Sequence, residues 1–162
     1  MKGKHMKVFL LLMISCCVFA ADYTLTDKEK ACVDGFDPST QVNFINIYNE
    51  HIIAPNIQTL DAAAASVESA TTVDELNKIK FQYGGDYINS IKLGQVTVFS
   101  KALETKVTAL KQASASDKNL QDVYGAKELQ LKSIREYSIA VIREKVFTVR
   151  VSIDKKIASL SK

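Results

Sequence analysis

The chain has 162 residues, 47% of them hydrophobic, enough for one domain with its own core. Its formal charge of +3 comes from Lys2, Lys4 and Lys7, and without them 18 basic side chains face 18 acidic ones. That balance argues against nucleic acid as a partner and against strong attraction to an anionic membrane, both of which need a basic excess.

Those three lysines open a targeting segment. Val8 to Phe19 is almost wholly apolar, and Val18-Phe19-Ala20 gives the small-x-small pattern cut by signal peptidase. The run is shorter than the roughly 20 residues needed to cross a bilayer. The pattern predicts a signal peptide over 1–20, a secreted domain over 21–162 and no integral membrane segment in the mature chain. A second reading takes Leu12-Met13-Ile14-Ser15-Cys16 as a loose bacterial lipobox, with Cys16 carrying the lipid anchor.

After cleavage at Ala20 only Cys32 remains, so an internal disulfide is impossible. Cys32 is either a buried, inert thiol or an intermolecular bridge. No Asn-x-Ser/Thr glycosylation acceptor occurs.

Thr26-Asp27-Lys28-Glu29 has the form of a capping box and predicts a short helix to about Asp34, stopped by Gly35. Asp37-Pro38 is expected to start the first long helix. Its apolar stripe is Val42, Ile45, Tyr48, Ile52, Ile53, Ile57, Leu60, Ala64 and Val67. Pro55 falls within it and predicts a kink, because proline removes a helical hydrogen bond and crowds the carbonyl of His51. Thr72-Val73-Asp74-Glu75 is a second capping box. The helix it opens meets Gly84-Gly85, where it either bends or breaks. Helical spacing continues through Ile91, Val96, Phe99, Leu103 and Val107 to a polar turn at 114–117.

The last segment, Leu120 to Leu160, contains no proline. Ile139, Ile142, Val146, Val149, Ile153, Ile157 and Leu160 lie in steps of three and four, which marks one helix face. Residues 147–153 also alternate in strand fashion, but a lone strand would lack a partner, so helix is expected. The segments 38–70, 73–111 and 118–160 are similar in length, about 50 to 65 Å each as helix. The fold expected is all-α: an elongated antiparallel up-down-up bundle of three long helices, four if broken at Gly84-Gly85, with a short N-terminal helix.

No motif specifies a reaction. The domain keeps one histidine, His51, and one cysteine, and no HExxH, CxxC or phosphate-loop pattern occurs. No enzyme activity, metal or cofactor is expected. Two features bear on binding. Tyr137, Val141, Phe147 and Val151 point off the core stripe of the last helix and form a candidate interface for an unknown protein partner or for a homo-oligomer. Tyr48, His51, Tyr83 and Tyr87 lie near Pro55 and Gly84-Gly85, where two helix breaks at one height would open a pocket for a small apolar ligand. Non-catalytic binding of a macromolecule or of itself is therefore the leading expectation, and carriage of a small apolar ligand the alternative.

Overall fold

The structure, a computed structural model, describes residues 23–41 and 43–161, and the side chains of Lys92 and Leu93 are not part of that description. The leader, Cys16 and Val42 therefore lie outside the described residues. Within them every regular element is helical, with no strand. The alternating stretch 147–153 is helix, because Val149 and Ile153 continue a buried stripe on both sides of it.

Helix α1 (Asp27–Gly35) starts as its sequence dictates. The Glu29 amide donates to the Thr26 hydroxyl at 3.2 Å, and the Thr26 amide donates back to the Glu29 carboxylate at 2.8 Å. Its end differs from expectation. Phe36 closes the helix in an extended conformation, and no glycine among the described residues has a positive φ.

The first long helix starts later than Asp37-Pro38 suggests. Asp37 instead forms a turn, accepting from the Ser39 amide at 2.9 Å and hydroxyl at 2.6 Å. Asn43 caps α2 (Phe44–Tyr48), which passes through a π-helical turn (Asn49–Ile53) into α3 (Ala54–Ser69). The π turn absorbs Pro55, the second residue of α3. It also resets the phase of the stripe. Phe44, Tyr48 and Ile52 are buried, whereas Ile45, expected in the core, is 62% exposed.

The second capping box opens α4 (Val73–Gln82), with the Glu75 amide donating to the Thr72 hydroxyl at 3.3 Å. The chain then breaks. Tyr83 leaves the helix, Gly84 is extended, and α5 (Gly85–Ser90) starts afresh. It too runs through a π turn (Ile91–Gln95), into α6 (Val96–Ala113). Asp117 caps α7 (Lys118–Leu160) by accepting from the Asn119 and Leu120 amides. At 43 residues α7 is roughly 65 Å long and touches most of the other helices.

The core lies along the inner face of α7. Leu131, Ile142 and Ile153 are fully buried there, as are Leu60 on α3, Leu76 on α4 and Phe99 and Leu103 on α6. Each such side chain contributes about 1.5–3 kcal/mol by leaving water. Ion pairs mark the alignment. Lys145 pairs with Asp61 at 2.5 Å and Lys156 donates to the Glu68 carbonyl at 3.0 Å, so positions on α3 and α7 advance together. Glu128 pairs with Lys111 at 2.6 Å and Arg135 with Glu104 at 3.4 Å, so α6 and α7 advance in opposite senses. Such part-exposed pairs add at most about 1 kcal/mol each and act chiefly on register.

Candidate functional site

The residues around Pro55 come together as two pairs. Tyr48 and His51 both lie against the ring of Phe99, at 5.7 and 5.6 Å between centroids. Tyr83 and Tyr87 meet edge to face at 5.3 Å. Tyr48 is fully buried, and its hydroxyl shares a 2.6 Å hydrogen bond with Ser100. Burial, only partly offset by that bond, pushes the Tyr48 phenol up to about 12, so it stays neutral. His51 is 9% exposed, and its Nδ1 has no hydrogen-bond partner among the described residues.

A polar chain joins the two pairs, which sequence reasoning did not foresee. Pro55 has no N–H to give the His51 carbonyl, and Gln95 Nε2 donates to that carbonyl instead at 3.3 Å. Gln95 Nε2 also donates to Glu29 at 2.9 Å, and Gln95 Oε1 accepts from Asn56 Nδ2 at 3.0 Å. Asn56 Oδ1 accepts from the Tyr87 hydroxyl at 3.0 Å. Tyr23 donates to both Glu29 oxygens, at 2.9 and 2.7 Å. Burial acts to raise the Glu29 carboxyl. Hydrogen bonds from Gln95, Tyr23 and Thr26 outweigh it and hold the group below the usual carboxylate range. The chain thus ties α1, α3, α5 and the second π turn. Asn56 and Gln95, which join its ends, are single polar residues beside apolar neighbours, and no local pattern marks such residues in a sequence.

The open surface lies elsewhere. A groove of about 860 Å³ runs between α2 and the middle of α7. Phe44 and Ile134, 4% and 7% exposed, belong to the core beneath it. Ile45, Leu129 and Tyr137 line it while 62%, 68% and 56% exposed. Gln41, Asn43, Gln130 and Ser133 complete the lining, which among the described residues has no charged member. Neither this groove nor the smaller one beside Cys32 is lined by Tyr48, His51, Tyr83 or Tyr87.

Of the candidate interface residues, Tyr137 and Phe147 are exposed and Val141 and Val151 half-buried, all on the outer side of α7. Leu129 belongs with them. Its place eight residues before Tyr137, off the core stripe, was the available signal for it. Ile45 was hidden by its apparent fit to the stripe of α2.

Cys32 is half-buried on α1. Burial, and then the Glu50 carboxylate, push its thiol up against the opposing pull of Lys28. Little of it is thiolate at neutral pH, which slows disulfide exchange. Among the described residues no three metal-ligating side chains converge, and no helix is long and apolar enough to cross a membrane.

No protein-family model, no curated protein and no solved structure matches this chain, so its own side chains carry the functional reading.

Proposed function

We propose that this is a small secreted protein, an elongated up-down-up helical bundle, that acts by non-catalytic binding of a macromolecular partner or of itself. The binding surface is the outer side of α7 with the groove against α2. One observation carries this reading: three large apolar side chains, Ile45, Leu129 and Tyr137, stand exposed around a lining that holds no charge among the described residues. A clustered apolar surface of this kind costs solubility unless something covers it. Secretion is supported by the basic, apolar and small-x-small order of the leader. The bundle order is supported by the matched advance of α3 and α7 and the opposed advance of α6.

A second reading, carriage of a small apolar ligand, is favoured by the groove's volume, which falls in the ligand-pocket range of about 300–1,000 Å³.

Native mass spectrometry of the protein taken from the medium that carries it tests both. The binding reading expects the mass of a complex, with another macromolecule or a second copy. The double variant L129K/Y137K, folded by circular dichroism, should lack it. A bound mass of a few hundred daltons, released on denaturation and absent from that variant, selects the carrier. A bare monomer for the wild type sinks both.

A further inference from the structure

The outer side of α7 has a second periodicity of its own. Starting at Val123, exposed and half-buried positions recur in alternating steps of three and four as far as Val151. Tyr137, Ala140, Glu144, Phe147 and Val151 form its second half. Of the nine positions of this seam Val123, Ala126, Tyr137, Ala140, Phe147 and Val151 are apolar and Gln130, Ser133 and Glu144 polar, at the heptad spacing that a second helix needs. It extends over about 42 Å of helix. Its inward counterpart, through Ile139, Ile142 and Val146, is already occupied by the bundle.

Resting on the binding reading above, we infer that the occupant of this seam is a second copy of the chain, its α7 lying antiparallel across a two-fold axis near residues 138–139. Three features of the residues select that partner and that register. First, large faces small. Tyr137 lies opposite the partner's Ala140, and Val151 opposite the partner's Ala126, each twice by symmetry. Second, Phe147, 67% exposed, is the knob with the most surface to lose. In this register it enters the partner's hole formed by Ala126, Leu129, Gln130 and Ser133. The last three of these line the groove. The groove and its filler thus sit on one helix at mirrored distances from the axis, so the contact closes as a dimer and does not propagate. Third, the flanks are complementary. In an antiparallel pair the same flank of each helix meets its own copy, which sets Glu136 against the partner's Arg143 and Arg143 against the partner's Glu136. Both side chains are exposed, and among the described residues Glu136 has one ion pair, a 3.5 Å contact to Arg135. The one charge within the seam, Glu144, falls opposite the partner's Ser133, whose hydroxyl can donate to it. A parallel pair would instead set Glu144 against the partner's Glu144.

Sedimentation equilibrium of the full secreted chain, with reductant present to exclude a Cys32 bridge, tests this. The wild type should dimerise with a dissociation constant below about 1 mM. F147K should weaken the dimer by at least roughly a hundredfold, since two apolar knobs are lost per dimer. E136R and R143E alone each bring like charges together at two places and should weaken it roughly tenfold. An equimolar mixture of E136R and R143E restores opposite charges at both places and should regain wild-type association as a heterodimer. Circular dichroism of each variant confirms folding. A dimer whose mixed variants do not regain association overturns the proposed register and with it the proposal. A wild type that is monomeric throughout overturns the dimer. In that case a complex with another macromolecule, lost in L129K/Y137K, leaves the binding reading standing, and its absence removes that reading as well.

Discussion

Two regions of the molecule invert the usual placement of residues. At the level of Pro55, Glu29 and Asn56 are 2% and 8% exposed although polar. On the outer side of α7, Leu129 and Phe147 are 68% and 67% exposed although apolar. Apart from His51 Nδ1, which is buried without a partner among the described residues, the buried region is closed: Glu29, Asn56 and Gln95 satisfy one another and the carbonyl that Pro55 leaves without its helical donor. Polar groups under those conditions fix the mutual position of helices and call for nothing further. The exposed region is open: nothing within the described chain covers it. Inversion with internal satisfaction marks architecture, and inversion without it is the observation on which the proposed binding surface rests.

Substitutions can break that contrast. The largest effect is expected on the inner side of α7. Ile142→Ala should cost about 2–5 kcal/mol by emptying a fully buried site. Phe147→Ala, five residues along the same helix, should stay within about 0.5 kcal/mol at concentrations where the chain is monomeric. Urea unfolding of both variants decides it, and a cost at Phe147 near that at Ile142 would mean the outer side is not free.

Next in size is Asn56→Ala. It removes the donor to Gln95 and to the Ile52 carbonyl, 2.7 Å away, and the acceptor of Tyr87. Leaving these groups unpaired should cost about 1–3 kcal/mol. A loss no larger than that of an exposed surface substitution would deny the polar chain its structural role.

The smallest effect concerns pH. The Glu29 carboxyl titrates below its ordinary 4.5 in the folded chain. Its hydrogen bonds therefore add stability that is complete above that value and is lost as pH falls through the lowered folded value. Wild type and E29Q should accordingly differ most near neutral pH and converge under acid, with the change beginning near 4.5. Asp37 and Glu75 are also lowered, the first mainly by Ser39 and the second by the Thr71 amide, and contribute equally to both proteins. Urea midpoints measured across the acid range that fail to converge would show that Glu29 is not held as an anion by its neighbours.

Much of the architecture was written locally. Both capping boxes form, because each needs only a hydroxyl and a carboxylate three residues apart. The stripe from Ile139 to Ile153 is buried, because a long uninterrupted period leaves one inward face. The break at Gly84-Gly85 was visible as two poor helix formers side by side, although its outcome, two separate helices, was not. The first long helix was misplaced at its start because Asp37 serves a turn as well as it serves a cap. The candidate ligand residues Tyr48, His51, Tyr83 and Tyr87 do gather near one level, but around Phe99 and Asn56, which carry no distinguishing signal in the sequence.

By itself the sequence determined the helical class, the two capping boxes, the inward face of α7 and the presence of apolar residues off that face. These follow from spacing within a few turns, and a few turns of helix contain all the information they need. Only the tertiary structure decided that two π turns accommodate Pro55 and align Gln95 with Asn56, that Ile45 turns outward, and that Leu129 and Tyr137 share a groove with it. Those outcomes depend on which helices meet and in what phase, and that is fixed by packing between residues tens of positions apart.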